Sequence, residues 1–147
     1  MISMLRNRVE IAKDLVLYTL ELPSRRNSLT LVENFVDTIK EQYNIPDETY
    51  AKILTCVSEV SNNSILHGNK EDDQKQVRIT LEIQNNKNFV FTISDEGGGF
   101  DYHNLPDPTS PENIEQLTGR GIFIVKQLAD RCVFNSNGSE VALHFNI

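Results

Sequence analysis

The sequence predicts an α/β protein of the two-layer α+β kind, a sandwich of one mixed, mostly antiparallel sheet with helices over one face. Three observations carry that prediction. Apolar and polar residues alternate in short runs bounded by turn signals, as in Val77, Ile79, Leu81 and Ile83. Elsewhere apolar residues return every three or four positions, the period of a helix with one buried face. Strands and helices do not alternate strictly, and no strand is followed by GxGxxG or GxxxxGK[ST], which argues against a doubly wound parallel sheet.

Residues 1–13 fit a short strand, a helix or a frayed extension equally well. Asp14 to Leu22 alternates as a strand, edge or first in the sheet, and Pro23 ends it before the polar SRRNS. Thr30-x-x-Glu33 resembles a capping box, followed by a helical stripe of Val32, Phe35, Val36, Ile39 and Tyr43. A second helix is expected from Pro46-Asp47-Glu48 to Gly68, its stripe made by Tyr50, Ile53, Leu54, Val57 and Val60. A hairpin follows, turning at Asn85 to Asn88 into Phe89 to Ser94. Phe100 to Thr118, with Pro106, Pro108 and Pro111, reads as a long loop. A third helix is expected from Gly121, through Ile122, Val125, Leu128 and Ala129. Cys132 to Asn135 and Val141 to Phe145 then flank the turn signal SNGS as a closing hairpin.

Composition bounds the function. The chain has 147 residues, 39% of them apolar, and 14 basic against 21 acidic residues leave a net charge of −7. That suits one globular domain over residues 1–147, since domains commonly run ~100–150 residues. An acidic chain with 7% aromatics and no Trp offers a phosphate backbone neither charge nor stacking platforms, so nucleic acid is not an expected partner. No apolar run approaches the ~18 residues of a membrane span, and the N-terminus lacks a signal-type core, so a cytoplasmic protein is expected. Cys56 and Cys132 lie far apart without a CxxC and read as two small buried apolar residues.

Three pieces carry chemistry. Glu59 and Asn63, four apart, project about 40° from one another on the second helix, away from its apolar stripe. Alone, such a pair is an ordinary solvated helix face. Asp95 closes the strand FTIS and opens Asp95-Glu96-Gly97-Gly98-Gly99, where glycines admit a flat ligand and a carboxylate can accept from an exocyclic amine such as adenine's. Gly119-Arg120-Gly121 stands before the third helix, where free N–H groups and the helix dipole favour an anion. In this order, with a pliant loop between the last two, they are what a nucleotide under a covering lid requires.

Glu59-Val60-Ser61-Asn62-Asn63, Asp95 to Gly99 and Gly119-Arg120-Gly121 resemble the N, G1 and G2 boxes of GHKL ATPases with the Bergerat fold. From Leu22 to Phe145 the chain is most similar to the anti-sigma factor serine/threonine kinases of bacterial partner switching, with Ser58 to Asn69, SEVSNNSILHGN, carrying the likeness. The resemblance implies ATP and Mg²⁺ as cofactors, with Asn63 as metal ligand and Glu59 as general base. It gives Asp95 the adenine amine, Gly97 and Gly99 the close approach to the base, and Gly119, Arg120 and Gly121 the phosphates. Residues 100–118 become the ATP lid. Gly138-Ser139 stands where the family has a Gly-Thr pair at the adenine site, and Ser139 retains the hydroxyl. Asn62 competes with Asn63 for the metal, but the spacing of four from Glu59 favours Asn63. For Arg120, a phosphate contact and a surface helix-start arginine remain open, and His67 is given no catalytic role.

The implied activity is phosphorylation of a serine on a small STAS-type anti-anti-sigma protein, alternating with capture of a sigma factor, and the family also implies a homodimer. Two other readings stand beside it. One is a nucleotide-dependent binding module without catalysis, against which Glu59 speaks. The other is the ATPase part of a split histidine kinase, against which the lack of any histidine before His67 speaks.

Overall fold

A computed structural model describes residues 7–97, 117–135 and 139–147. Six strands form one sheet in the order β1-β2-β3-β4-β6-β5: β1 Val9–Ala12, β2 Leu15–Pro23, β3 Gln76–Gln84, β4 Asn88–Ser94, β5 Arg131–Asn135 and β6 Glu140–Asn146. Every neighbouring pair is antiparallel. The helices are α1 Leu29–Tyr43, α2 Asp47–Asn63 and α3 Leu117–Leu128, and α2 runs on through a π turn, Ser64–Gly68.

The alternation read from the sequence becomes one buried face. Tyr18, Leu81, Phe91, Leu143 and Cys132 stand in a row across β2, β3, β4, β6 and β5. All but Cys132 are essentially inaccessible, each large apolar side chain contributing about 1.5–3 kcal/mol. Helical residues Phe35, Ile39, Ile53, Val57 and Val125 close the core from above. Phe35 joins the layers edge-to-face with Tyr18 and Phe91, both with ring centroids at 6.4 Å. The opposite sheet face, with Thr19, Thr80 and Thr92 in one row, stays half-exposed, as expected of an antiparallel sheet covered on one side.

Several local expectations are corrected. The strand from residue 15 is neither first nor edge, because Val9–Ala12 pairs outside it, Val9 opposite Leu17. Two positive-φ residues, Asn85 and Asn86, make the β3–β4 turn as foreseen. Thr30 is not a cap: α1 starts one residue earlier, after Ser28, whose hydroxyl donates to the Pro23 carbonyl at 2.8 Å instead of capping. Thr30 is therefore an ordinary first-turn residue, and Glu33 lies beyond the first turn. Helix α3 begins at Leu117, not Gly121, so Leu117 and Thr118 belong to it rather than to the loop. Residues 98–116, which hold most of the expected lid, and Ser136 to Gly138 in the last turn lie outside the described residues. Cys56 is buried, its thiol pushed up to about 12 by burial, but Cys132 is only half-buried.

Candidate functional site

Helix α2 lies between α1 and α3 and over β4 and β6, so its polar edge is enclosed rather than solvated. Asn63 is only 7% exposed, and its Nδ2 has no hydrogen-bond partner. Since the two ends of an amide are interchangeable by a flip, an orphaned buried amide atom marks a position reserved for a ligand. One turn back, burial raises the Glu59 carboxyl above its ordinary value, opposed by the charge of His67. Glu59 lies against α3 so tightly that a Cβ on Gly121 would come within 1.8 Å of its Oε1. The expected solvated face is thus a half-buried acid beside a buried amide.

Beyond Asn63 the helix widens into the π turn, closed by the Asn69 N–H donating to the Ser64 carbonyl at 2.8 Å. Gly68, at its end, supports the turn that follows β4. A Cβ there would fall 2.3 Å from Asp95 Oδ2, and one on Gly97 would fall 1.9 Å from the Gly68 carbonyl oxygen. Asp95 accepts from the Gly97 N–H at 2.8 Å, while its own N–H donates to the Ser139 carbonyl at 2.9 Å. Burial raises the Asp95 carboxyl, opposed by the Gly97 N–H, the Ser64 hydroxyl and Lys75. The Ser139 backbone carbonyl thus meets the Asp95 turn.

Asn69, which closes the phrase SEVSNNSILHGN and was given no site role, makes three side-chain hydrogen bonds among the described residues. It is 1% exposed, donates to Ser24 Oγ at 2.8 Å and the Gln76 carbonyl at 2.9 Å, and accepts from the Glu96 N–H at 2.8 Å. Ser24 in turn donates to the Lys75 carbonyl at 2.7 Å. The only sequence signal was an Asn after the Gly that ends a helix.

Of the expected residues, α2 thus links Glu59, Asn63 and Gly121 at one end and Gly97, Asp95 and Ser139 at the other. Gly119 and Arg120 are in the first turn of α3, not before it, where backbone N–H groups have no intrahelical partner. Gly99 falls outside the described residues. Among the described residues no three His, Cys, Asp or Glu side chains gather as a metal cage. Magnesium commonly binds through one or two protein groups plus phosphate oxygens and water, and the Asn63 amide, turned by a flip, would offer it one oxygen donor. No helix among the described residues is long and apolar enough to cross a membrane.

Residues 22–145 match the family model described as histidine kinase-like ATPase domain. Serine-protein kinase RsbW of Listeria monocytogenes serotype 4a is 25% identical over 118 residues, 76% of this chain and 74% of its own. Serine-protein kinase RsbW of Listeria innocua is 24% identical over the same shares. The crystal structure of the RsbU and RsbW domains of Rv1364c from Mycobacterium tuberculosis superposes with a TM-score of 0.59 at 14% identity. It covers 86% of this chain, which spans 31% of that one, and supports the two-layer fold. The RsbW relatives support the anti-sigma kinase branch of the GHKL ATPases that the sequence resembles, and the chain belongs to the histidine kinase-like ATPase domain family.

Proposed function

We propose that this chain is a cytoplasmic ATP-dependent protein serine kinase, which phosphorylates a small STAS-type anti-anti-sigma protein and otherwise holds a sigma factor. The single observation that carries the catalytic part is Glu59, a half-buried carboxylate one helical turn from the unpartnered Asn63 amide. The distance along the helix from Glu59 to Gly68, nine residues at 1.5 Å, is ~13 Å, commensurate with an extended nucleoside triphosphate. In this reading the base lies at the Asp95 end and the phosphates at the Glu59 end.

Asp95 accepts from the exocyclic amine of adenine, Gly97 lets the base approach, and the α3 N-terminus with Gly119, Arg120 and Gly121 faces the phosphates. Asn63 would hold Mg²⁺, which would supply neutralisation of charge on the phosphate oxygens. Glu59 takes the proton of the acceptor serine as its oxygen bonds to the γ-phosphorus, the bond from that phosphorus to the bridging oxygen breaks, and ADP leaves with the electron pair. Burial, which raises the Glu59 carboxyl, makes it a stronger base than a solvated glutamate. The partner identities rest on the family resemblance and on the RsbW relatives, and a homodimeric assembly on the family resemblance alone.

The test is transfer of radiolabelled γ-phosphate to STAS-type proteins encoded in the same genome, with calorimetric titration of ATP in parallel. Wild type is expected to bind ATP with Mg²⁺ and label one serine, and Glu59→Gln to bind but not label. ATP binding without labelling of any such protein, by wild type, would leave a nucleotide-binding module in place of the kinase.

A further inference from the structure

We propose that Asn69 is the positioning residue that sets the Asp95 turn for purine discrimination, an inference that rests on the nucleotide reading above. The turn after β4 has little regular structure of its own, and the side chain that would read the base sits at its first residue. Among the described residues, two backbone N–H groups of this turn donate to groups outside it. On one side the Asp95 N–H is held by the Ser139 carbonyl of β6. On the other the Glu96 N–H is held at 2.8 Å by Asn69 Oδ1.

The Asn69 amide is immobile because its opposite end is fastened twice, to Ser24 Oγ at the end of β2 and to the Gln76 carbonyl at the start of β3. Both donors of Nδ2 are used, so the amide orientation is determined and Oδ1 must face Glu96. Glu96 then bends back, its Oε2 accepting from the Gln76 N–H. The result is a closed loop of hydrogen bonds from Asn69 to Glu96 to Gln76 and back to Asn69, with Asp95 one residue outside it. Its side-chain amide, donating to the Gln76 carbonyl and accepting from the Glu96 N–H, makes Asn69 a strut between β3 and the turn, whereas Gly68 beside it only leaves room for the Asp95 carboxylate.

Removing the strut frees the Glu96 N–H and loosens the backbone of the turn, which is then held by the Ser139 carbonyl on the Asp95 N–H and by the side-chain bonds of Ser64 to Asp95 and of the Gln76 N–H to Glu96. Asp95 then points over a range of directions, and its hydrogen bond to an exocyclic amine is lost, while Asn63 and Glu59, a turn or more away, are undisturbed. The predicted loss is therefore in the choice of base, not in the phosphate interactions.

The experiment compares Mg²⁺-dependent binding of ATP and of purine riboside triphosphate, which lacks the amine, by calorimetry. Wild type should prefer ATP, and Asn69→Ala should reduce that preference about tenfold, the worth of one hydrogen bond to a charged acceptor. Asp95→Asn with Asn69→Ala should be no less selective than Asp95→Asn alone, because Asn69 acts through Asp95. Additive losses in the double variant would show a general structural role and overturn the inference, as would an unchanged preference in Asn69→Ala. If Asn69→Ala does not fold, Ser24→Ala, which removes one of the two anchors, should show a smaller loss of preference in the same cycle, and unchanged selectivity there overturns the inference. Wild type that binds ATP but does not distinguish the two triphosphates overturns the role assigned to Asp95 and this inference with it. Wild type that binds neither overturns the nucleotide reading itself.

Discussion

Gly121 and Glu59 meet across the α2–α3 interface so closely that a side chain at 121 would occupy the place of the carboxylate, its Cβ 1.8 Å from Oε1 and 2.4 Å from Cδ. A glycine in the third motif is therefore required by the first motif, quite apart from any phosphate. The atoms it would displace are the far end of a flexible side chain, so Glu59 rather than the helix is expected to give way.

Gly121→Ala should separate fold from chemistry. In the middle of a helix this exchange ordinarily stabilises by about 1 kcal/mol, which offsets much of the crowding, so the denaturation midpoint should move little. Phosphotransfer should fall about 100-fold, the lower range for loss of a general base, with ATP affinity nearly unchanged. Equal transfer by the variant and wild type in a radiolabel assay would show that the Glu59 seat is not needed.

Glu59→Gln should be more stable than wild type at neutral pH, in addition to losing transfer. Burial holds the native Glu59 carboxyl above its ordinary 4.5, so the folded chain keeps a proton that the unfolded chain releases first. Stability attributable to this group is complete below about 4.5 and is lost as pH rises through the native value. The amide has no such loss, and its advantage over wild type should grow with pH across that window and then level off. Denaturant titrations between mildly acidic and neutral pH measure it. Asp95, raised for the same reason, remains in the variant and leaves a residual slope of the same sign. An advantage that shrinks with rising pH would contradict the burial of Glu59.

The sheet and all three helices were legible because each has a long apolar period, and β3, with Val77, Ile79, Leu81 and Ile83 all buried, is the plainest case. β1 was not, since Val9 and Ile11 are exposed and the strand has no buried face to impose a pattern. The start of α3 was missed by four residues because Gly119 and Gly121 read as breakers, whereas close packing on Glu59 makes glycine at 121 a requirement inside the helix. Glu59, Asn63 and Asp95 were visible by spacing and motif. Their burial was not, because Glu59 and Asn63 stand on the polar edge of α2 and only the packing of α3 encloses them. The bonding role of Asn69 was not legible: its hydrogen bonds to Ser24, Gln76 and Glu96 span up to 45 positions each and leave no local period.

Gly68→Ala should act on the base end alone. Its Cβ would lie 2.3 Å from Asp95 Oδ2 and 2.4 Å from Cγ, so the carboxylate must leave its place above the π turn. ATP affinity should fall about tenfold, as expected for one charge-assisted hydrogen bond, while the Mg²⁺ requirement for binding stays. Competition between ATP and GTP, followed by calorimetry, should show a reduced preference for adenine. A preserved preference would mean that the carboxylate does not select the base.

Asn63→Ala should leave a protein that folds normally and no longer binds nucleotide in a Mg²⁺-dependent way. The Asn63 amide is 7% exposed and has an unpartnered nitrogen, so it spends desolvation energy without an intramolecular return. Truncating it removes that orphan, and the small void costs little beyond it, so the midpoint of unfolding should change by under about 1 kcal/mol in equivalent stability. ATP titrated with Mg²⁺ should bind about 100-fold more weakly than to wild type, whereas the same titration in EDTA should give nearly equal affinities for both proteins. The difference between the two titrations isolates the metal-linked part of binding, which a purely structural asparagine would not change. Retention of the full Mg²⁺ effect in Asn63→Ala would move the metal ligand elsewhere on α2, and Asn62→Ala, with its half-exposed neighbour removed, would then be the variant that loses it.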